Sequence, residues 1–138
     1  MRCSLILSLA ALSASPALAD EVWTTALGPV AWESDMGSTA VLRLDAGDGD
    51  QVIRMFVPNL AADVMGGRGT YTGVWIANAG DTGCVVEMVD PQGGKSAYWG
   101  SFTITFVHDA FPSDWAGVYG TCLDAPNMPI SGVAQVGG

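Results

Sequence analysis

The sequence predicts an all-β domain, and three observations carry this prediction. Glycine and turn-forming pairs interrupt the chain after residue 20 roughly every 8 to 14 residues. The segments between them are short and rich in Val, Ile, Thr and aromatic residues, which favour strands. No stretch keeps a helical repeat of about 3.6 residues over three turns. We therefore expect about seven to eight strands in a small antiparallel barrel, with a β-sandwich as the alternative.

The first nineteen residues have the pattern of an export signal. Arg2 gives a positive start, Leu5 to Leu12 form a short apolar run, and Ala17-Leu18-Ala19 supplies small residues for cleavage after Ala19. The product would be one globular domain over residues 20–138, located in the periplasm or secreted. The apolar run is too short to span a bilayer, and no cysteine begins the mature chain. We therefore expect neither a membrane span nor a lipid anchor.

The charge balance limits the partners of the chain. Its formal net charge is −9, and removal of Arg2 with the signal would make it −10. Such a charge repels nucleic acid and anionic membrane surfaces, and it favours a basic protein, a polyamine or a metal ion. Acidic residues also keep an exported protein soluble without any partner. Nucleic acid is therefore not expected as a partner.

The first half of the domain shows clear alternation of apolar and polar residues. Ala40, Leu42 and Leu44 fall on one face of a strand, with Val41 and Arg43 on the other. A bend is expected at Gly28-Pro29 and a hairpin turn at Asp48-Gly49. The predicted strands are Val22 to Leu27, Val30 to Glu33, Thr39 to Leu44 and Gln51 to Val57.

In the second half, Asn59 is suited to cap a short helical turn through Met65 that Gly66-Gly67 ends. Three strands after it are expected to form an antiparallel meander, and two more are expected to close the sheet. The meander strands are Thr70 to Ala77, Cys84 to Val89 and Ser96 to Val107. The last two strands are Val118 to Leu123 and Ile130 to Val136.

Two cysteines, Cys84 and Cys122, remain after removal of the signal. In an oxidising compartment an even number of cysteines indicates a disulfide, and two allow a single pairing within the chain. The bridge is expected to tie the strand that contains Cys84 to the strand that contains Cys122. The alternative is a pair of buried free thiols. Redox catalysis has little support, because no Cys-x-x-Cys pair is present.

The residues that could carry catalysis are few, so a non-enzymatic role is favoured. His108 is the only histidine, and no serine lies in a Gly-x-Ser-x-Gly motif. One histidine beside a disulfide leaves no cysteine-histidine zinc site, and no cofactor is indicated. Asp45 to Asp50 holds three acids that suit either calcium or a solvated hairpin turn. Glu33 and Glu87 are the pair that a carboxylate-based hydrolase would use.

Aromatic residues provide the candidate ligand-binding side chains. The stretch from Phe111 to Gly117 combines two aromatic residues with a proline-fixed turn, which suits either a partner contact or a plug at one end of the core. Indoles on a sheet stack on sugars or line an apolar cup, and they also fill barrel cores. The candidate ligand-binding residues are Trp32, Trp75, Trp99, Trp115 and Phe111.

These observations favour an exported, non-catalytic binding module for a small apolar ligand, a sugar or a protein. The first alternative is an acidic inhibitor or interaction protein that meets a cationic enzyme such as a lysozyme. The second is the carboxylate-based hydrolase. An acidic composition and a lack of catalytic side chains fit both the binding module and the interaction protein. The sequence therefore leaves both of these functions open.

Overall fold

Eight antiparallel strands close into a barrel, which confirms the predicted fold class. A computed structural model describes residues 21–47, 49–63, 69–109 and 111–135. The predicted export signal, Met1 to Ala19, lies outside these residues. The barrel strands are β1 (Val22–Thr25), β2 (Gly28–Met36), β3 (Thr39–Ala46), β4 (Gln51–Val57), β5 (Gly69–Ala77), β8 (Tyr98–Phe106), β9 (Trp115–Tyr119) and β10 (Met128–Ala134).

Neighbouring barrel strands are also neighbours along the chain, apart from one excursion and the closure of β10 onto β1. The barrel is therefore of the up-and-down type, and closure leaves it without an edge strand. Connections alternate between its two ends. We call one end the open end; its connections are residues 26–27, 47–50, 78–97 and 120–127. We call the other the plugged end; its connections are residues 37–38, 58–68 and 107–114.

The predicted three-stranded meander is wrong, because its middle strand, Cys84 to Val89, is not a strand of the barrel. β5 pairs directly with β8 over nine residue pairs, from Gly69 with Phe106 to Ala77 with Tyr98. Residues 78–97, here called the outer segment, leave the barrel between these strands. Within the outer segment only β6 (Met88–Val89) and β7 (Lys95–Ser96) form strands, and they pair with each other. The long pairing of β5 with β8 leaves no place in the barrel for Cys84 to Val89.

The helical turn after Asn59 forms as α1 (Leu60–Asp63). Leu60 is buried in the core, and the backbone N–H of Ala61 donates to the carbonyl of Ser38. The predicted end of this turn, at Met65 to Gly67, lies outside the described residues. α1 therefore covers part of the plugged end.

Alternation along the strands sorts the apolar side chains into two packed sets. The interior set forms the barrel core and includes Trp23, Leu42, Met55, Phe102 and Trp115. The second set lies on the outer wall, beneath the outer segment. Its buried members are Val41, Phe56, Ile76 and Trp99, and Met36, Val74, Cys84 and Met88 pack against them.

Two interior tryptophans are accommodated by glycines on the neighbouring strand. Trp75 pairs with Gly100, and Trp115 pairs with Gly132. A Cβ at Gly100 would lie 1.9 Å from the carbonyl oxygen of Gly120 and 2.6 Å from Nε1 of Trp75. A Cβ at Gly132 would lie 2.4 Å from the Trp115 indole. Each indole thus fits in its place only because the paired residue is a glycine and has no side chain.

Candidate functional site

An apolar cavity of about 230 Å³ lies inside the barrel and reaches the open end. Its buried lining residues are Leu44, Met55, Phe102 and Ile104, and Leu27 lies on a connection of the open end, 40% exposed. An apolar cavity of about 150 Å³ is enough to hold benzene, whereas pockets for drug-sized ligands exceed about 300 Å³. The full lining is Leu27, Leu44, Ala46, Gln51, Ile53, Met55, Trp75, Phe102, Ile104, Tyr119, Thr121 and Ile130.

Polar groups in this lining are few and belong to Gln51, Tyr119 and Thr121, apart from the Trp75 indole. The Gln51 side-chain amide donates to the carbonyl of Ala79 at 2.8 Å. A mostly apolar wall with a few hydrogen-bonding groups is the usual composition of a small-molecule pocket.

The Trp75 side chain is held in the cavity wall by Gly120 and Gly100. Its Nε1 donates to the carbonyl of Gly120 at 2.9 Å, which links β5 to the connection after β9. Gly100 leaves room for the ring, as described above. The indole is therefore oriented before any ligand binds, which reduces the entropy lost on binding.

The opposite end of the barrel is closed by aromatic side chains around Phe111. Its ring centroid lies 6.0 Å from Trp23, 5.8 Å from Trp32 and 5.7 Å from Phe106. Edge-to-face and tilted contacts of this kind stabilise packed aromatic clusters. The plug proposed for the stretch from Phe111 to Gly117 matches these contacts, and the cavity therefore communicates with solvent through the open end.

Polar residues of the same loop satisfy backbone groups. The Ser113 hydroxyl accepts from the N–H groups of Val107 and His108, and the Ser113 carbonyl accepts from Trp23 Nε1 at 2.9 Å. The Asp114 carboxylate accepts from the N–H of Ala134 and lies 3.2 Å from His108 Nε2. The Ala134 N–H and then His108 lower the pKa of Asp114. Ser113 and His108 are thus structural parts of the plug.

The five candidate residues do not share one site. Trp75 alone lines the barrel cavity. Trp32 and Phe111 lie at the plugged end, and Trp115 is buried in the core. Trp99 lies on the outer wall, where its Nε1 donates to the carbonyl of Val86 at 2.7 Å. The role of these five residues in ligand binding stays a prediction, and the position of Trp75 in the cavity wall fits it.

The disulfide joins Cys84 to Cys122, with Cα atoms 5.5 Å apart, as the cysteine count predicts. Neither cysteine lies in a strand, which corrects the expectation that the bridge ties two strands. It ties the outer segment to the connection between β9 and β10. Backbone bonds support the bridge, because Cys84 N–H donates to Ala97 and Cys122 N–H donates to Trp99.

Glu33 and Glu87 both lie away from the cavity. Glu33 accepts from Arg54 Nε at 2.8 Å and from Arg54 Nη2 at 3.1 Å, and Arg43 lies 3.7 Å away. Arg54 and then Arg43 lower the pKa of Glu33, whereas a general acid needs a raised pKa. Glu87 is exposed on the outer segment. These contacts give the hydrolase alternative no support.

In the part of the chain that the structure describes, no three His, Cys, Asp or Glu side chains form a group that could hold a metal ion. No helix among those residues is long and apolar enough to cross a membrane. The acidic stretch Asp45 to Asp50, which suits either calcium or a solvated hairpin turn, is described only in part, because Asp48 lies outside the described residues.

No protein-family model, no curated protein and no solved structure matches this chain. Its function therefore has to be argued from the cavity and the surfaces described above.

Proposed function

We propose that this chain is an exported, non-catalytic binding module that holds a small apolar ligand, or the apolar part of one, in the barrel cavity. The observation that carries the proposal is the apolar cavity at the open end, opposite a sealed aromatic plug. The leader pattern of residues 1–19 and the disulfide support a location in the periplasm or outside the cell.

The lining favours an apolar ligand over a sugar. A sugar needs many hydrogen-bonding partners, and this wall offers few beyond Gln51, Tyr119 and Thr121. Burying an unpaired hydroxyl in an apolar wall costs roughly 1 to 3 kcal/mol. A single ring with a short substituent, or a chain of several carbons, fits the cavity volume. Each methylene group buried there contributes about 0.8 kcal/mol.

Filling the cavity is expected to abolish binding. Ala46 lines the mouth of the cavity, so Ala46→Trp places an indole where the ligand would lie. Calorimetric titration with octan-1-ol should give a dissociation constant on the order of 0.1 mM for the natural chain. The variant should bind octan-1-ol at least tenfold more weakly, which corresponds to a loss of about 1.4 kcal/mol in the free energy of binding.

Val133→Trp is the matched control, because Val133 is 58% exposed and does not line the cavity. It adds the same side chain on a barrel strand without filling the cavity, and its affinity for octan-1-ol should equal that of the natural chain. If Ala46→Trp also binds with unchanged affinity, the cavity is not the binding site.

A specific surface observation also favours the interaction-protein alternative. Val85, Val86 and Leu123 flank the disulfide and are exposed by 104%, 64% and 90%. We call these three residues the apolar tip. Acidic residues adjoin it at Glu87 and Asp124, so the tip presents apolar groups within negative charge. The second candidate function is therefore insertion of this tip into the cleft of a cationic enzyme such as a lysozyme.

A lysozyme assay tests this second candidate. The natural chain should slow a cationic lysozyme at low ionic strength, and the effect should weaken sharply above ~0.15 M salt. Leu123→Ser should remove the inhibition, whereas Val133→Ser, an equally polar change on a barrel strand, should retain it. Full lysozyme activity in the presence of about a tenfold molar excess of the natural chain over lysozyme would exclude this partner.

A further inference from the structure

A second cavity adjoins the first at the open end. Its volume is about 380 Å³, and it shares Gln51, Trp75 and Thr121 with the barrel cavity. Residues 79–84 of the outer segment line it, together with Tyr98, Trp99 and Cys122. Because both cavities border these three side chains, the second cavity is the space that a molecule longer than the barrel cavity would reach next.

The two cavities differ in chemistry. Among the described residues, no charged side chain lines the barrel cavity, whereas Asp81 lines the second cavity. Asp81 is the one charged residue among the described residues of that second lining, and it is exposed to solvent. The Gln51 amide, bonded to the carbonyl of Ala79, lies in both linings. An apolar compartment thus borders a more polar one that carries a negative charge.

Charge around the open end has the same sign. The described residues of the four connections there, including the outer segment that runs over the outer wall, contain five acids and one base. In the part of the chain that the structure describes, no basic residue lines either cavity. The acidic residues would therefore repel an anionic head group, which would find no positive charge in the cavity linings. They would attract a cationic head group. The acids are Asp50, Asp81, Glu87, Asp90 and Asp124, and the base is Lys95.

We propose that the ligand is a small cationic amphiphile, with its apolar chain in the barrel cavity and its ammonium group beside Asp81 in the second cavity. This inference rests on the proposed function and names the class of ligand for the same site. Because Asp81 is exposed, its attraction for the head group is screened by water, and the apolar chain supplies most of the affinity. The carboxylate then selects among ligands of equal chain length.

Three probes of equal chain length test the inference: octylamine, octan-1-ol and octanoate. At pH 7 the amine is cationic and octanoate is anionic, so the three differ chiefly in head-group charge. Calorimetry at low salt should show octylamine binding about two- to fivefold more tightly than octan-1-ol, and octanoate most weakly. Raising the salt to about 0.5 M should reduce the difference between amine and alcohol.

A matched pair of variants locates the charge responsible. Asp81→Asn should remove most of the amine's advantage over the alcohol and leave octan-1-ol affinity unchanged. Glu87→Gln removes the same charge from the same segment, but Glu87 lines neither cavity. This variant should therefore keep the preference for the amine over the alcohol.

The outcomes separate the two proposals. If none of the three probes binds, the proposed function fails. If amine, alcohol and octanoate bind equally, the proposed function stands and the cationic preference is overturned. If Asp81→Asn and Glu87→Gln reduce amine binding equally, the contact with Asp81 is overturned.

Discussion

Replacing both Cys84 and Cys122 by serine is expected to lower the free energy of unfolding by about 4 kcal/mol. The bridge spans 38 residues of sequence, and closing a loop of that length restricts the unfolded chain by this amount on the chain-entropy argument. The bridge also fixes the outer segment to the connection between β9 and β10, where both cavities have lining residues. Ligand affinity should therefore fall together with stability.

Urea unfolding of the natural chain and the double variant measures this effect. Reductant should lower the stability of the natural chain to that of the double variant, and it should leave the variant unchanged. A stability difference below about 1 kcal/mol would contradict the expected contribution of the bridge.

Trp23→Ala is expected to cost about 3 to 5 kcal/mol of stability. The Trp23 side chain is fully buried, and its ring contacts Phe106 and Phe111. Its Nε1 also donates to the carbonyl of Ser113, which would lose its partner. The change therefore opens a hole beneath the plug and leaves a buried carbonyl unsatisfied.

Trp23→Phe separates the two contributions. It keeps an aromatic ring in contact with the plug but removes the N–H donor, so its cost should be about 1 to 3 kcal/mol. Thermal and urea unfolding measure both variants. If Trp23→Ala costs less than Trp23→Phe, the plug does not depend on the volume of this indole.

The sequence predicts much of the barrel because local alternation and turn residues agree with the final fold. Ala40, Leu42 and Leu44 face the core as expected, and Gln51 to Val57 has the bounds and the two faces that the pattern indicated. In these strands one face is apolar throughout, so a shift in register would expose it. β2 is longer than predicted, because pairing with β3 extends it to Met36 past a bulge after Trp32.

The segment around Cys84 shows what local pattern cannot decide. Val85, Val86 and Val89 give it the composition of a strand, yet all three side chains are exposed. Strand propensity reports fit to a pleated surface and does not identify the partner strand. The choice of β8 as the partner of β5 depends on the whole length of both strands, which no short window contains.

The candidate site was only partly predictable, although the strands carry signals for more of it. Phe102, Ile104 and Phe106 alternate along β8, and the same alternation places Trp99 on the opposite face. Trp99 could therefore have been assigned to the outer wall. The lining residues Gln51, Met55, Tyr119 and Ile130 were missed, because the position of a cavity along a barrel depends on which end is plugged.

Methyl-resolved NMR during titration with octan-1-ol tests the central claim most directly, namely that the barrel interior is the ligand site. The proposed function predicts shifts concentrated in the methyl groups of Met55, Ile104 and Ile130, which line the cavity. Shifts confined to Val85 and Leu123, at the apolar tip, with the interior methyl groups unchanged, would contradict it.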